Sequence, residues 1–350
     1  MQSPSAPLRA LAHLLAALVA TACSSAATST PAGAHAGGAA GAPVDDAGGS
    51  LIDSAPGDDA AAAGPPLVYA HTDTTLFQVD PAGATLTQLG VFDCIDATSN
   101  DPSMTDLAVD RTGALWGISA LQVHPLTVQG GAVHCGTPVS LQTTASVRFY
   151  GLTFAPVGVL DATREVLVAG NTAGELWSID GQGNLAQRGT LGTVPKTDGN
   201  GHSYPTKNVG KAWELSGDIV FLANGGQPVG FATVRDCPTP PDTANCNAVD
   251  TLLEIDVAKL ATQTTGSVAK AVRGQLAHRA SCNDGVTGDY GHLYGIGAWG
   301  TKLYGFSRTG NVVDVDLSDG SACLVKAYPT DKFAGAGVTT LAPVQPPPPK

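Results

Sequence analysis

The sequence is poor in charged residues and has no long segment with a helical hydrophobic period outside its first 23 residues. Charged residues make up 14 % of the 350 positions, against about 25 % in a typical globular domain. Glycine and proline are abundant, with 43 and 24 copies. This composition disfavours a helical protein and predicts many short strands joined by tight turns.

The signatures of several catalytic classes are missing. The chain contains no Gly-x-Ser-x-Gly elbow and no His-Glu-x-x-His zinc motif. Gly210-Lys211 is not a phosphate-binding loop, because Ala212 follows it and Pro205 occupies the position of the first glycine. No spacing selects a nucleophile and its base. The sequence therefore favours a non-enzymatic protein.

Basic residues are also scarce. Without residues 1–22, which contain Arg9, the chain keeps 30 acidic against 17 basic residues, a formal net charge of −13. An acidic domain repels the phosphate backbone, so we expect no nucleic-acid partner. Direct adsorption to an anionic membrane surface is disfavoured for the same reason.

The N-terminus has the features of an export signal. Arg9 precedes an apolar run, residues 10–19, that is too short to span a bilayer. Ala20-Thr21-Ala22 suits ordinary signal peptidase, whereas Cys23 after small residues suits lipidation at that cysteine. The lipidation motif is imperfect, since Ala20 stands where leucine is usual. Cysteine parity favours lipidation, because six of the seven cysteines then remain to pair in an oxidising compartment.

Composition divides the chain into four regions. Residues 1–22 form the signal, and residues 23–66 combine the anchor cysteine with a low-complexity linker of small residues. Such a linker buries too little apolar surface to fold, and as a flexible coil it spans roughly 35–40 Å. Residues 67–344 form the folded domain, and residues 345–350 form a proline-rich tail. The expected localisation is outside the cytoplasm, on a bacterial membrane through a lipid anchor, facing the periplasm or the cell surface.

Two segments repeat one template. Cys94 is followed 21 residues later by Leu-Trp-Gly-Ile-Ser and then by Cys135, and Cys282 is followed at the same distance by Leu-Tyr-Gly-Phe-Ser and then by Cys323. A strand-rich period of about 40 residues predicts a β-propeller. The length of the domain suits five four-stranded blades, or six.

The first blade lacks an inner strand, so the end of the chain must supply it. Residues 340–344 (Thr-Leu-Ala-Pro-Val) nearly repeat residues 153–157 (Thr-Phe-Ala-Pro-Val), at the inner strand expected for blade 3. We therefore expect residues 340–344 to close the ring, which removes exposed sheet edges. In blade 4 the expected strands are residues 209–215, 218–223, 251–257 and 269–274.

The blade layout predicts three disulfides: Cys94–Cys135 and Cys282–Cys323 join neighbouring blades at the rim, and Cys237–Cys246 closes a proline-rich loop. Zinc binding is the alternative. Because no Cys-x-x-Cys pair occurs and no histidine stands at ligand spacing beside these cysteines, the sequence favours disulfides.

A family resemblance rests on these features. An export signal, a small-residue linker and strands of the type Leu293-Tyr294-Gly295-Ile296 make the chain similar to bacterial secreted or lipid-anchored β-propellers of uncharacterised function. The resemblance covers residues 67–344 and implies fold and location only. The chain departs from WD40 repeats, which carry recurring Gly-His and Trp-Asp pairs, and from quinoprotein dehydrogenases, which carry tryptophan docking motifs.

Loops between blades supply the candidate site residues, because propellers usually bind ligands where such loops meet the central channel. The candidate ligand-binding residues are Asp101, Asp106, Lys207, Lys211, Asp284, Asp289, Tyr290 and His292. Asp314, Asp316 and Asp319 offer hard oxygen ligands for Ca²⁺, although an Asp–Gly turn explains their spacing equally well. No other cofactor is expected.

Two functions remain open. The first is a monomeric binding or scaffold module on the cell envelope that takes a protein, peptide or glycan ligand and touches the membrane only through its lipid. The alternative is a lyase or hydrolase that uses carboxylates at the channel mouth and His292, with or without a divalent metal. Propellers host both roles, so the fold alone cannot decide.

Overall fold

Five antiparallel sheets form a five-bladed β-propeller in a computed structural model, which describes residues 68–344 except 97, 99–100, 144–147, 237–247, 263 and 301. The strands are β1 (Val68–Thr72), β2 (Thr75–Asp80), β3 (Thr85–Val91), β4 (Met104–Val109), β5 (Leu115–Ser119), β6 (Gln122–Gln129), β7 (Ala132–Cys135), β8 (Val139–Ser140), β9 (Phe149–Ala155), β10 (Val166–Asn171), β11 (Glu175–Ile179), β12 (Leu185–Thr190), β13 (Glu214–Leu222), β14 (Val229–Arg235), β15 (Thr251–Ile255), β16 (Ala269–Gln275), β17 (Leu293–Trp299), β18 (Lys302–Ser307), β19 (Asn311–Val315), β20 (Ala322–Ala327) and β21 (Phe333–Val338). Two short 3₁₀ helices cover Asn224–Gly226 and Val257–Ala261.

Each blade runs from an inner strand at the axis to an outer strand at the rim. The sheets are β21-β1-β2-β3, β4-β5-β6-β7 with β8 on β6, β9 to β12, β13 to β16 and β17 to β20, and we number them blades 1 to 5. Neighbouring blades pack face to face. Between blades 5 and 1, for example, the rings of Phe306 and Phe333 meet edge to face at 5.5 Å. The core therefore lies between the sheets, and inner strands such as β4, β13 and β21 are buried on both faces.

The ring is closed by the C-terminal part of the chain, as the sequence predicts, but by a different strand. β21 (Phe333–Val338) pairs with β1 along its whole length, whereas residues 340–344, the expected closing segment, leave the sheet. Thr340 accepts a hydrogen bond from Ala223 N at 2.7 Å and donates one to Glu165. Val344 forms a bridge with Gly300. Residues 340–344 therefore connect blades 3, 4 and 5 at the end of the propeller where the inner strands end.

Blade 4 also differs from the expectation. Residues 209–215 and 218–223, predicted as two strands, contribute to one inner strand, β13 (Glu214–Leu222), which carries a bulge between Leu215 and Ile219. The second strand is β14 (Val229–Arg235), which the sequence layout missed. Gly217 makes the bulge fit, because a Cβ there would lie 2.2 Å from Tyr294 Cα in the next blade.

Two disulfides join adjacent blades at the rim, and both confirm the predicted pairing. Cys94 and Cys135 link the ends of the outer strands of blades 1 and 2, and Cys282 and Cys323 link blades 4 and 5. Two disulfides are consistent with an oxidising, exported environment. Within the part of the chain that the structure describes, no helix is long and apolar enough to cross a membrane.

Several sequence predictions fall outside the described residues. These are the signal (1–22), Cys23 with the linker to residue 66, the pair Cys237–Cys246 and the tail 345–350. They remain predictions.

Candidate functional site

Two aspartates meet on the axis of the propeller. Asp106 lies on β4 and Asp218 on β13, both fully buried, and their carboxyl groups are hydrogen-bonded to each other. At the position that matches Asp106 in strand register, just after the bulge, the other three inner strands carry glycine: Gly151, Gly295 and Gly335. An acidic pair therefore occupies the centre of an otherwise apolar ring of strands.

Backbone amides of the other inner strands hold the pair. Asp106 accepts hydrogen bonds from Leu152 N and Ala336 N. Asp218 accepts from Ile296 N at 2.7 Å and from Ile219 N at 2.6 Å. Because all five inner strands contribute a carboxyl or an amide, the pair ties the blades together at the axis.

The pair shares a proton. Burial and the neighbouring carboxyl raise the pKa of Asp106 well above its ordinary value, and burial likewise raises the pKa of Asp218. Two buried carboxylates in contact cannot both carry charge, so one stays protonated at neutral pH and donates to the other.

Glycines allow the strands to approach this closely. A Cβ on Gly335 would lie 2.3 Å from both Asp106 Oδ1 and His71 Nε2, and one on Gly295 would lie 2.6 Å from the Gly335 carbonyl carbon. Burial lowers the pKa of His71 to about 4, so its ring is neutral. Its Nδ1 donates to Thr72 O at 2.7 Å. The axis is therefore filled by side chains and backbone, and a ligand entering above the pair meets a floor.

A cluster of polar and aromatic side chains lies above that floor, where the inner strands begin. Arg308 forms a two-pronged ion pair with Asp73, at 2.9 and 2.6 Å, and Arg235 pairs with Glu214 at 2.7 Å. Tyr294 lies within electrostatic range of both arginines. We call this group the mouth cluster; its members are Asp73, Glu214, Arg235, Asp250, His292, Tyr294 and Arg308.

Part of the mouth cluster has unused hydrogen-bonding capacity. Arg235 Nε and Glu214 Oε2 are buried and have no hydrogen-bond partner among the described residues. Burying such atoms unpaired costs about 1–3 kcal/mol each. Because these two atoms are shielded from solvent, a ligand can pair with them only if the side chains move.

His292 sits at the edge of the mouth cluster with an unusual backbone. Its φ of 57° lies in the left-handed region, which costs a non-glycine residue about 1–2 kcal/mol. The imidazole is exposed and meets the ring of Tyr294 edge to face at 6.3 Å. Strain of this kind is often retained where a side chain has a function.

Asp250 is a buried member of the mouth cluster that holds the backbone next to His292. It accepts hydrogen bonds from Leu293 N at 2.7 Å and Ser216 Oγ at 2.8 Å. Burial raises its pKa to about 6, against the opposing effects of these bonds and of His292. Asp250 therefore titrates close to neutral pH and within electrostatic range of an exposed imidazole.

The structure disperses the residues that the sequence groups as ligand candidates. Of the eight, His292 belongs to the mouth cluster and Asp106 to the floor. Asp284 lies at the rim, where Leu324 N and Val286 N donate to it at 2.8 and 3.0 Å. These bonds and His278 lower the pKa of Asp284 to about 2.

The other candidates serve turns or face solvent. Tyr290 is buried beside Asp284, and Asp289 accepts from His278 N at 2.8 Å. Asp101 accepts from the backbone of the β5–β6 turn, with Ala120 N at 2.9 Å. Lys207 and Lys211 are exposed. A ligand role for these residues remains a prediction.

The three calcium candidates make separate contacts. Asp314 pairs with Lys302 Nζ at 2.7 Å, Asp316 accepts from Ser318 N at 2.8 Å, and Asp319 accepts from Ser321 N at 2.8 Å. The bonds of Asp316 and Asp319 are those of strand-connecting turns. Calcium binding remains a prediction.

Histidines do lie beside the disulfide cysteines, contrary to the expectation from sequence spacing. Ligand atoms of Cys94, His124 and Cys135 lie within 4.8 Å of one another, and so do those of His278, Cys282 and Asp284. The sequence distance hid this proximity, because His124 reaches Cys94 from a neighbouring blade.

Most of the mouth cluster was also missed from the sequence. Its residues come from blades 1, 4 and 5, and no local motif joins them. One signal was available for the floor: Asp106 and Asp218 are acidic residues within apolar inner strands, where an unpaired charge would be costly.

Comparisons with known proteins add little to this picture. No protein-family model matches the chain, and no curated protein matches it. Among solved structures, it is similar to a protein of unknown function from Bacteroides caccae, with a TM-score of 0.39 and 9 % identity over 79 % of this chain and 99 % of that chain. A likeness this weak carries no functional argument.

Proposed function

We propose that this protein is an exported, lipid-anchored β-propeller that binds a protein, peptide or glycan ligand at its mouth cluster. The observation that carries the proposal is the arrangement of that cluster. An exposed, strained His292 and a half-buried Tyr294 stand beside two arginines, above an axis filled by Asp106 and Asp218. Such a cluster above a filled axis suits contact with a ligand from the side facing solvent.

The chemistry of the mouth cluster favours a polar ligand with an apolar face. Tyr294 and His292 offer aromatic surfaces on which a sugar ring or a peptide side chain can pack. The ring nitrogens of exposed His292 and the hydroxyl of half-buried Tyr294 can pair with hydroxyl or amide groups. Because Arg235 and Arg308 are already paired with carboxylates, a strongly anionic ligand is disfavoured.

Replacing His292 should separate ligand binding from stability. In His292→Gly, glycine adopts the left-handed backbone without strain, which stabilises the folded state by about 1–2 kcal/mol. Glycine also gives the unfolded chain more conformational freedom, which offsets about 0.4–1 kcal/mol of that gain. We therefore expect an unchanged or slightly raised melting temperature together with at least tenfold weaker binding. The ligand is first found on an array of bacterial and host glycans and in a peptide display library, and affinities are then measured by calorimetry.

Leu341→Ser is the matched control, since Leu341 is exposed at the opposite end of the ring. It should leave affinity unchanged. A ligand whose affinity responds to Leu341→Ser but not to His292→Gly or Tyr294→Ala would place binding at the other end and contradict the proposal.

A hydrolase or lyase reaction is the second candidate, because burial raises the pKa of Asp250 to about 6 and the exposed imidazole of His292 lies within electrostatic range of it. If the array hits are cleaved rather than held, and Asp250→Asn abolishes turnover, the enzyme hypothesis replaces the binding module. Asp250 is buried under Leu293, which favours a supporting role and places this candidate second.

Membrane attachment should depend on one cysteine. Cys23→Ala removes the thiol that would carry lipid, so we expect the protein to move from the membrane pellet to the soluble fraction. Cell fractionation with immunoblotting measures this. Membrane retention of the variant, against release of an unrelated secreted control, would contradict the lipid anchor.

A further inference from the structure

The rim between blades 1 and 2 brings together three donors that suit a transition metal. One is a ring nitrogen of His124 on β6, and the other two are the sulfur atoms of Cys94 and Cys135, all within 4.8 Å of one another. The cysteines are half-buried, so reductant and metal ions can reach them. Two sulfurs and one imidazole are a common ligand set for Zn²⁺.

His124 itself points to a ligand. Its side chain is 4 % exposed, and its Nδ1 atom is buried without a hydrogen-bond partner among the described residues. A buried ring nitrogen without a hydrogen-bond partner is unfavourable. A metal ion bound to that nitrogen in another state of the protein would explain why it is kept free.

The second rim disulfide provides an internal comparison. His278 also lies beside a bridging cysteine, Cys282, but its Nε2 is already bonded to Asp284 Oδ1 at 3.0 Å. Its backbone N–H donates to Asp289. Both disulfides join cysteines 41 residues apart. The histidine beside the second disulfide already forms hydrogen bonds within the protein, whereas His124 has a ring nitrogen without one among the described residues.

We propose that Cys94, Cys135 and His124 form a redox-gated binding site for Zn²⁺ or a similar divalent metal. Oxidised, the two cysteines join the blades through their disulfide. Reduced, they bind the metal with His124, and the metal joins the same blades. Water completes the tetrahedral set.

The chemistry balances with a dithiol as reductant. A dithiol supplies two electrons and two protons, becomes a disulfide itself, and leaves Cys94 and Cys135 as thiols. Zn²⁺ then displaces both thiol protons, and His124 donates its nitrogen lone pair without losing a proton. The two sulfurs must move apart from S–S bonding distance to two corners of the tetrahedron around the metal, a local movement at the rim.

The proposal is tested by measuring how fast each cysteine is alkylated with and without Zn²⁺. The full exported protein is reduced with a phosphine, incubated with or without Zn²⁺, treated with iodoacetamide, and mapped by peptide mass spectrometry. We expect Zn²⁺ to slow alkylation of Cys94 and Cys135 at least tenfold. In His124→Phe, which keeps a large ring but offers no donor, that protection should be lost; His124→Gln serves if His124→Phe does not fold.

His278→Phe is the matched control and should leave protection of Cys94 and Cys135 intact. Circular dichroism follows the fold throughout, and refolding of the reduced protein by Zn²⁺ would support the site. Equal alkylation with and without Zn²⁺ would overturn the proposal. So would protection that persists in both His124 variants, because it would show adventitious thiolate binding only.

Discussion

A chain that ends at Lys332 should not fold stably. The truncation removes β21, with the buried side chains of Phe333, Ala336 and Val338, and it leaves β1 without its partner strand. Loss of a buried phenylalanine alone costs about 3–5 kcal/mol, against a net stability of about 5–15 kcal/mol for a whole domain. We expect no cooperative thermal transition by circular dichroism and a protease-sensitive product.

Two longer chains serve as controls for that truncation. A chain ending at Val344 keeps every described residue that contacts the ring, and we expect it to melt like the full-length protein. A chain ending at Val338 keeps β21 but removes Thr340, which leaves Glu165 and Ala223 N without the partners described above. At about 1–3 kcal/mol per buried group, this chain should fold with a lower melting temperature. A stable fold in the chain ending at Lys332 would refute closure by β21.

The need for ring closure was predictable from the sequence, but the closing strand was not. Residues 340–344 resemble residues 153–157, whereas the true strand, Phe333–Val338, is rich in glycine and alanine and has low strand propensity. The structure explains this composition. Gly335 packs against Asp106 and His71, and a Cβ on Gly337 would lie 3.1 Å from Leu107 O. Crowding at the axis selects small residues over strand formers.

The rim of the ring was more predictable than its centre. The turns after the third strands of the blades carry an aspartate whose role follows from local spacing: Asp80 accepts from Ala82 N, and Asp180 accepts from Gln182 N. The disulfides followed from the repeat. The axial pair and the assembly of the mouth cluster from three blades depend on contacts between distant residues, such as Asp106 with Leu152 and Arg308 with Asp73. Local patterns cannot encode these contacts.

Removing one axial carboxyl should strongly destabilise the fold. Asp218→Ala leaves Ile219 N and Ile296 N buried without acceptors, at about 1–3 kcal/mol each. We expect a loss of about 3 kcal/mol, or about 6–12 °C in melting temperature for a domain of this size. Asp106→Asn should cost about 1 kcal/mol or less, because its amide can replace the shared proton as donor to Asp218. Equal losses in the two variants would contradict a shared proton.

The pH dependence of Asp106→Asn tests the proton directly. Since the folded-state pKa of Asp106 is raised, the unfolded chain releases this proton first, above its ordinary pKa of about 3.9. Wild-type stability from this group is therefore full below that pH and falls as pH rises, by about 1.4 kcal/mol per unit. The asparagine variant has no such proton, so its stability relative to wild type should rise as pH rises from 5 to 7. Denaturant titrations at each pH measure the difference in free energy of unfolding between the variant and wild type. Both proteins contain Asp250, so its titration cancels from this difference. A flat difference would mean that both axial carboxyls are ionised in the folded protein, which their burial and contact oppose.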